Sequence, residues 1–115
     1  MTPTKKKILF VCTVNRMRSA TAQKIFENDD RFEVLSAGTD KMANTAISLE
    51  LLNWADSIVV MEKHHRNYIH KKFPAVYKNK KIVCLYILDE YDYMQPELIS
   101  LLRNRVDNAH KKRLI

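Results

Sequence analysis

Residues 8–19 read ILFVCTVNRMRS, an unbroken apolar run that delivers a cysteine into a polar loop closing on an arginine and a serine. The β-branched and aromatic content of residues 8–11 suits a short strand covered on both faces better than a surface helix. Residues 19–27 then set Ala22, Ile25 and Phe26 at helical spacing, so the unit reads strand, loop, helix. The loop therefore lies at a helix N-terminus, where successive backbone N–H groups and the positive helix end form a concave anion site. Arg18 adds a planar, permanently charged fork suited to oxyanions, and a thiol at the mouth of such a site gives up its proton readily. Cys12 is the candidate nucleophile. Thr13, Val14, Asn15, Arg16, Met17 and Ser19 are the candidate ligand-binding residues around it.

Outward from this unit, strands and helices alternate. Residues 28–30 form a turn, and residues 31–36 give a short strand with Phe32, Val34 and Leu35 as apolar members. Gly38, the only glycine, ends that strand and marks either a positive φ or a close chain approach. Ile47, Leu51 and Trp54 predict an amphipathic helix over 46–54, and residues 57–61 form a strand of central type. Tyr68, Ile69 and Phe73 share a face of the next helix, over 63–73, which Pro74 stops. Residues 81–88, KIVCLYIL, form the last strand, and Pro96 opens a long amphipathic helix carrying Leu98, Leu101, Leu102, Arg105, Val106 and Ala109.

The expected fold class is α/β, a three-layer sandwich with a four-stranded parallel sheet and helices on both faces. A ligand then belongs at the C-terminal strand edge, where both the Cys12 loop and residues 89–94 lie. With 115 residues there is room for a single domain spanning 1–115. An apolar fraction of 46% and a mean hydropathy of -0.35 are ordinary for a globular chain. No apolar run approaches a membrane span, and the basic stretch 1–7 lacks the apolar segment of a secretory leader, so a cytoplasmic location and no membrane partner are expected. Cys12 and Cys84 lie in separate strands and are expected to stay reduced. The net charge of +7 comes largely from lysines near 5–7, 71–72, 78–81 and 111–113. Solvated faces explain it better than nucleic-acid binding, which lacks an interleaved aromatic motif here. Such a surface also steers phosphorylated substrates.

Cys12, five intervening residues, Arg18 and Ser19, directly after a hydrophobic strand, resemble the signature of the low-molecular-weight protein tyrosine phosphatase family. Ser36-Ala37-Gly38-Thr39 is similar to that family's strand-ending segment, and residues 56–62, DSIVVME, to its third strand. The resemblance covers most of the chain. It implies a phosphocysteine mechanism on Cys12, phosphate held by Arg18 and the loop amides, and a phosphorylated protein or small aryl phosphate as substrate. Ser19 is then a donor to the cysteine sulfur as well as a helix cap. Asp89 is the expected general acid, with Asp92 as its rival. Tyr91 and Tyr93 either wall the pocket or join the core. No cofactor and no metal are expected, because the adjacent His64 and His65 should diverge on a helix and His70 lies further along.

Three departures from the family pattern stand out. Val14 replaces the glycine usual before Asn15, Met17 replaces a second cysteine beside the arginine, and Glu90 replaces the proline usual after the acid. Asn15 itself tolerates left-handed geometry and can brace the loop. The chain is also shorter than typical members between Gly38 and Ala46 and between Phe73 and Lys81. Two other readings remain: a phosphate-loop module that binds phosphoprotein or RNA without turnover, and an arsenate reductase, for which Cys84 is poorly placed as a relay.

Overall fold

The computed structural model describes residues 4–115; the first part of the basic N-terminal stretch lies outside the described residues. The elements are β1 (Lys6–Cys12), α1 (Arg18–Phe26), β2 (Phe32–Gly38), α2 (Leu49–Trp54), β3 (Ser57–Val60), α3 (Lys63–Lys72), α4 (Pro74–Asn79), β4 (Lys81–Cys84) and α5 (Pro96–Lys111). All strand pairs are parallel, in the order β2-β1-β3-β4. The four-stranded α/β sandwich expected from the sequence is the observed fold.

Period-two alternation divides the core between the two faces of the sheet. Ile8, Phe10 and Cys12 face α1 and α5, packing with Phe26, Phe32, Leu98, Leu102 and Val106. Leu9 and Val11 face the other way, against Leu52, Ile58, Val60, Ile69 and Val76 beneath α2, α3 and α4. A strand buried on both faces must read as a continuous apolar run, which is why residues 8–11 show no polar alternation. Phe26 holds the first layer together: its ring stacks on Phe10 at 5.9 Å and meets the edge of Phe32 at 6.0 Å.

Three boundaries differ from the sequence reading. The helix predicted over 46–54 begins only at Leu49, because Ser48 caps it by accepting from the Leu51 N–H at 3.2 Å. Pro74 does end α3, but it also opens α4 as its first residue, a position where the missing N–H costs nothing. The last strand ends at Cys84 rather than Leu88. Leu85 and Ile87 still donate to Val60 and Met61, yet Tyr86 turns to φ 55 between them and breaks the regular ladder.

The strand order reverses at β1. The connection from β1 leads outward to β2, whereas β3 leads to β4 on the opposite side. The C-terminal ends of β1 and β3 consequently flank the crevice where open parallel sheets bind ligands. Cys12 ends β1, and Glu62 lies just beyond β3.

Candidate active site

The loop between β1 and α1 is built with its carbonyls facing out. Those of Cys12, Thr13 and Val14 accept from the N–H groups of Thr39, Asp40 and Asn44, and that of Asn15 from the Asn44 side chain at 3.1 Å. Among the described residues, the loop N–H groups from Val14 to Arg18 have no protein acceptor, which leaves a row of donors at the start of α1. Asn15 makes the turn at φ 57, so the left-handed position falls on asparagine and not on Val14. Val14 in place of glycine is therefore harmless to the backbone. Gly38 has no positive φ; the close approach explains it, since an added Cβ would lie 2.4 Å from the Thr13 carbonyl oxygen.

A chain of side-chain bonds ends on the sulfur. The Asn15 amide donates to Ser19 Oγ at 2.8 Å, so the serine hydrogen is free for Cys12 Sγ at 2.9 Å, with the Ala37 carbonyl as a longer alternative at 3.4 Å. Cys12, Asn15, Arg18 and Ser19 are all buried. Arg18 Nη1 donates to Glu62 Oε2 and to the Ile87 carbonyl, both at 2.7 Å. Both of its hydrogens are thereby used, and the Nε–Nη2 edge is the part of the fork left for an oxyanion. Asp89 Oδ1 lies 3.8 Å from Arg18 Nε, with the aspartate side chain 66% exposed.

Not every candidate lies at this centre. Arg16 is exposed and donates outward to Asn44 at 3.3 Å, and Met17 precedes α1 without capping it. Asp92 belongs to the approach to α5, where its N–H and carbonyl both bond Gln95. Tyr91 packs against the core on the α5 side, and Tyr93 rests beside Ala20, Gln23 and Lys24 of α1 and Glu27 just past its end. The aromatic beside the Arg18 partners is instead Tyr86, which with Leu88, Lys63 and His64 lines a cavity of about 250 Å³ that reaches Glu62. Glu90 uses the N–H that a proline would lack: it donates to the Leu88 carbonyl at 3.0 Å and closes a tight turn before the acidic segment.

The first turn of α3 contributes residues that the sequence reading left out. Glu62 is its N-cap, and its carboxylate accepts from the His65 N–H in a reciprocal capping box. Burial opposes the Glu62 charge, but hydrogen bonds from Arg18 and His64 outweigh it and hold the carboxyl below its ordinary range. His65 is fully buried; Nδ1 accepts from the Glu62 N–H at 3.0 Å, which requires Nε2 to carry the proton toward Thr13 Oγ1 at 2.9 Å. Burial, reinforced by His64 and Arg18, pushes its pKa down to about 3. The sequence predicts diverging histidines, yet the His64 and His65 rings lie 4.0 Å apart because Glu62 draws both. Ligand atoms of Glu62, His64 and His65 lie within 4.8 Å of one another, but both His65 nitrogens are already hydrogen-bonded, so a metal there would have to displace at least one of those bonds. The signals that could have drawn attention to them are the place of Glu62 at the sheet edge and the Glu62-to-His65 capping spacing, though not their partners; Asn44 gave no local signal.

No family model and no curated protein matches the chain. Solved structures do. A low-molecular-weight protein tyrosine phosphatase from T. tengcongensis superposes with a TM-score of 0.74 at 20% identity, covering 94% of this chain and 99% of that one. The fold is the low-molecular-weight phosphatase fold. YwlE arginine phosphatase from Geobacillus stearothermophilus matches at TM-score 0.70 and 23% identity over 95% and 96% of the two chains. The tyrosine phosphatase Wzb from Escherichia coli K30, solved with phosphate, matches at 0.68 and 20% over 95% and 99%. The superposition covers nearly the whole of this chain and of each of these structures.

Proposed function

We propose that the chain is a phosphomonoesterase that hydrolyses phosphotyrosine or a similar aryl phosphate through a phosphocysteine on Cys12. The observation that carries this reading is the convergence, at the end of β1, of a buried thiol hydrogen-bonded to Ser19 with the free donors of residues 14–18 and the braced Arg18 fork. The Cys12 thiolate attacks phosphorus while the P–O bond to the leaving group breaks, and Asp89 gives its proton to the departing oxygen. Loop amides and the Arg18 Nε–Nη2 edge hold the non-bridging oxygens and the charge of the transition state. Water then attacks phosphorus and yields a proton to Asp89, and the S–P bond breaks. Ser19 donates to the sulfur as it leaves.

Asp89 is preferred to Asp92 because it alone of the two contacts Arg18. Cys84 does not support a thiol relay, since burial raises its pKa and it sits on β4. The test is turnover of p-nitrophenyl phosphate with chelator present, alongside phosphotyrosine and phosphoarginine peptides, the latter because one similar structure is an arginine phosphatase. Wild-type turnover that vanishes in Cys12→Ser supports the reading. Turnover that survives Cys12→Ser overturns the covalent route, and oxyanion binding with no turnover of any substrate favours the binding module.

A further inference from the structure

We propose that His65 is a positioning residue for the phosphate loop, holding Thr13 directly and aiming Arg18 through the Glu62 cap. The inference rests on the phosphatase reading for its kinetic consequences but not for its geometry. His65 is buried at the start of α3, and both ring nitrogens are committed. Nε2–H holds Thr13, the residue that follows the nucleophile. Nδ1 holds the main chain of Glu62, whose carboxylate in turn accepts from the His65 N–H and from Arg18. A single imidazole thus ties down residues adjoining both ends of the loop, at Cys12 and at Arg18. α1 itself has no side-chain cap, and its own bracing of the loop runs through Ser19 to Cys12 and Asn15, leaving Thr13 to His65. A histidine employed only to cap α3 would have no use for the bond to Thr13.

The arrangement works only for a neutral ring. A second proton on Nδ1 would face the Glu62 N–H, with Arg18 of α1 as a cationic neighbour, the His64 ring of α3 beside it and the Glu62 carboxylate as the nearby anion. Folding keeps that state unpopulated through the range where a phosphatase is assayed.

Two near-isosteres separate the arms. His65→Asn keeps an acceptor near the Nδ1 position and loses the donor to Thr13; His65→Gln keeps a donor near Nε2 and loses the acceptor for Glu62. Loop displacements of about 1 Å cost up to about 100-fold in rate. For His65→Asn, kcat is expected to fall roughly tenfold or more with KM little changed, and Thr13→Val adds nothing further. For His65→Gln, KM and the inhibition constant of inorganic phosphate are expected to rise roughly tenfold, because the Arg18 fork loses its aim. Both arms are also read without turnover, by NMR of the amides of residues 13–18 and of the Arg18 Nε–H in the full chain. If those resonances stay put in both variants while only thermal stability drops, His65 is a helix cap and the inference fails, whatever the substrate. If the resonances shift as expected in a chain that hydrolyses nothing, the positioning role stands and the phosphatase reading fails.

Discussion

Gly38 and Ser19 act on the reactive loop at the scale of single atoms. A methyl group at Gly38 meets the Thr13 carbonyl at 2.4 Å and Ala43 at 2.6 Å, so one of two backbone segments must move. Gly38→Ala is expected to cost about 1–3 kcal/mol by chemical denaturation and to lower kcat to the extent that the Thr13 segment, which follows the candidate nucleophile Cys12, is the one displaced. Ser19→Ala removes the donor 2.9 Å from the sulfur. Rapid-mixing kinetics with p-nitrophenyl phosphate should then show an intact burst followed by slower steady-state turnover, as dephosphorylation becomes limiting. Asp89→Asn should lower kcat by about 10²–10⁴-fold for a substrate with a poor leaving group, and much less for p-nitrophenyl phosphate. An equal loss for both substrates would move the acid role elsewhere.

Elements set where these atoms stand. α1 is fixed to the sheet by Phe26, which is 1% exposed and packed between Phe10 and Phe32. Phe26→Ala is expected to destabilise the protein by about 3–5 kcal/mol in a denaturant titration. α3 matters to the site through its first turn alone, and that turn also carries a pH dependence. The unfolded chain protonates His65 near pH 6.5, whereas in the fold its pKa is about 3. Stability is therefore full above the unfolded value and falls as pH drops toward 3, by at most about 1.4 kcal/mol per pH unit. Glu62 has a lowered folded pKa, so its contribution is present above the ordinary carboxylate range and is lost only below it. Denaturation midpoints between pH 7 and 5 should decline in the wild type and flatten in His65→Asn.

At the scale of the molecule, parallel strands sort charge by end. Lys6, Lys7 and Lys81 begin strands, and Lys71, Lys72 and Lys111 finish helices, which gathers them at the edge opposite Cys12. Residue 6 is about 20 Å from residue 12 along β1, at about 3.3 Å per residue. That is twice the screening length of about 10 Å in 0.1 M salt. The net charge of +7 therefore steers substrates less than composition suggests, since Glu62 and Asp89 also offset the charge of Arg18 at the loop. Expected is a change of kcat/KM for p-nitrophenyl phosphate of less than about threefold between about 0.05 and 0.5 M salt. A steep fall would show that the basic edge reaches the site after all.

The local alphabet was enough for the order of the four strands, the buried run at residues 8–11, the Cys12 loop and an Asn15 that tolerates left-handed geometry, because each depends on neighbours in the chain; α4, opened by Pro74, went unread. Helix ends were less legible: Ser48 and Pro74 act through hydrogen bonds and fixed dihedrals that displace the apolar pattern by a few residues. What only the tertiary structure decided is who meets Arg18. Glu62 is 44 residues away and the Ile87 carbonyl 69, and no periodicity encodes a pairing at that separation. The same holds for His65 and Thr13, 52 residues apart. Sequence specified the candidate nucleophile and its loop; the return of β3 and β4 to the same sheet edge specified the brackets that hold them, because long-range contacts follow from strand order and not from spacing.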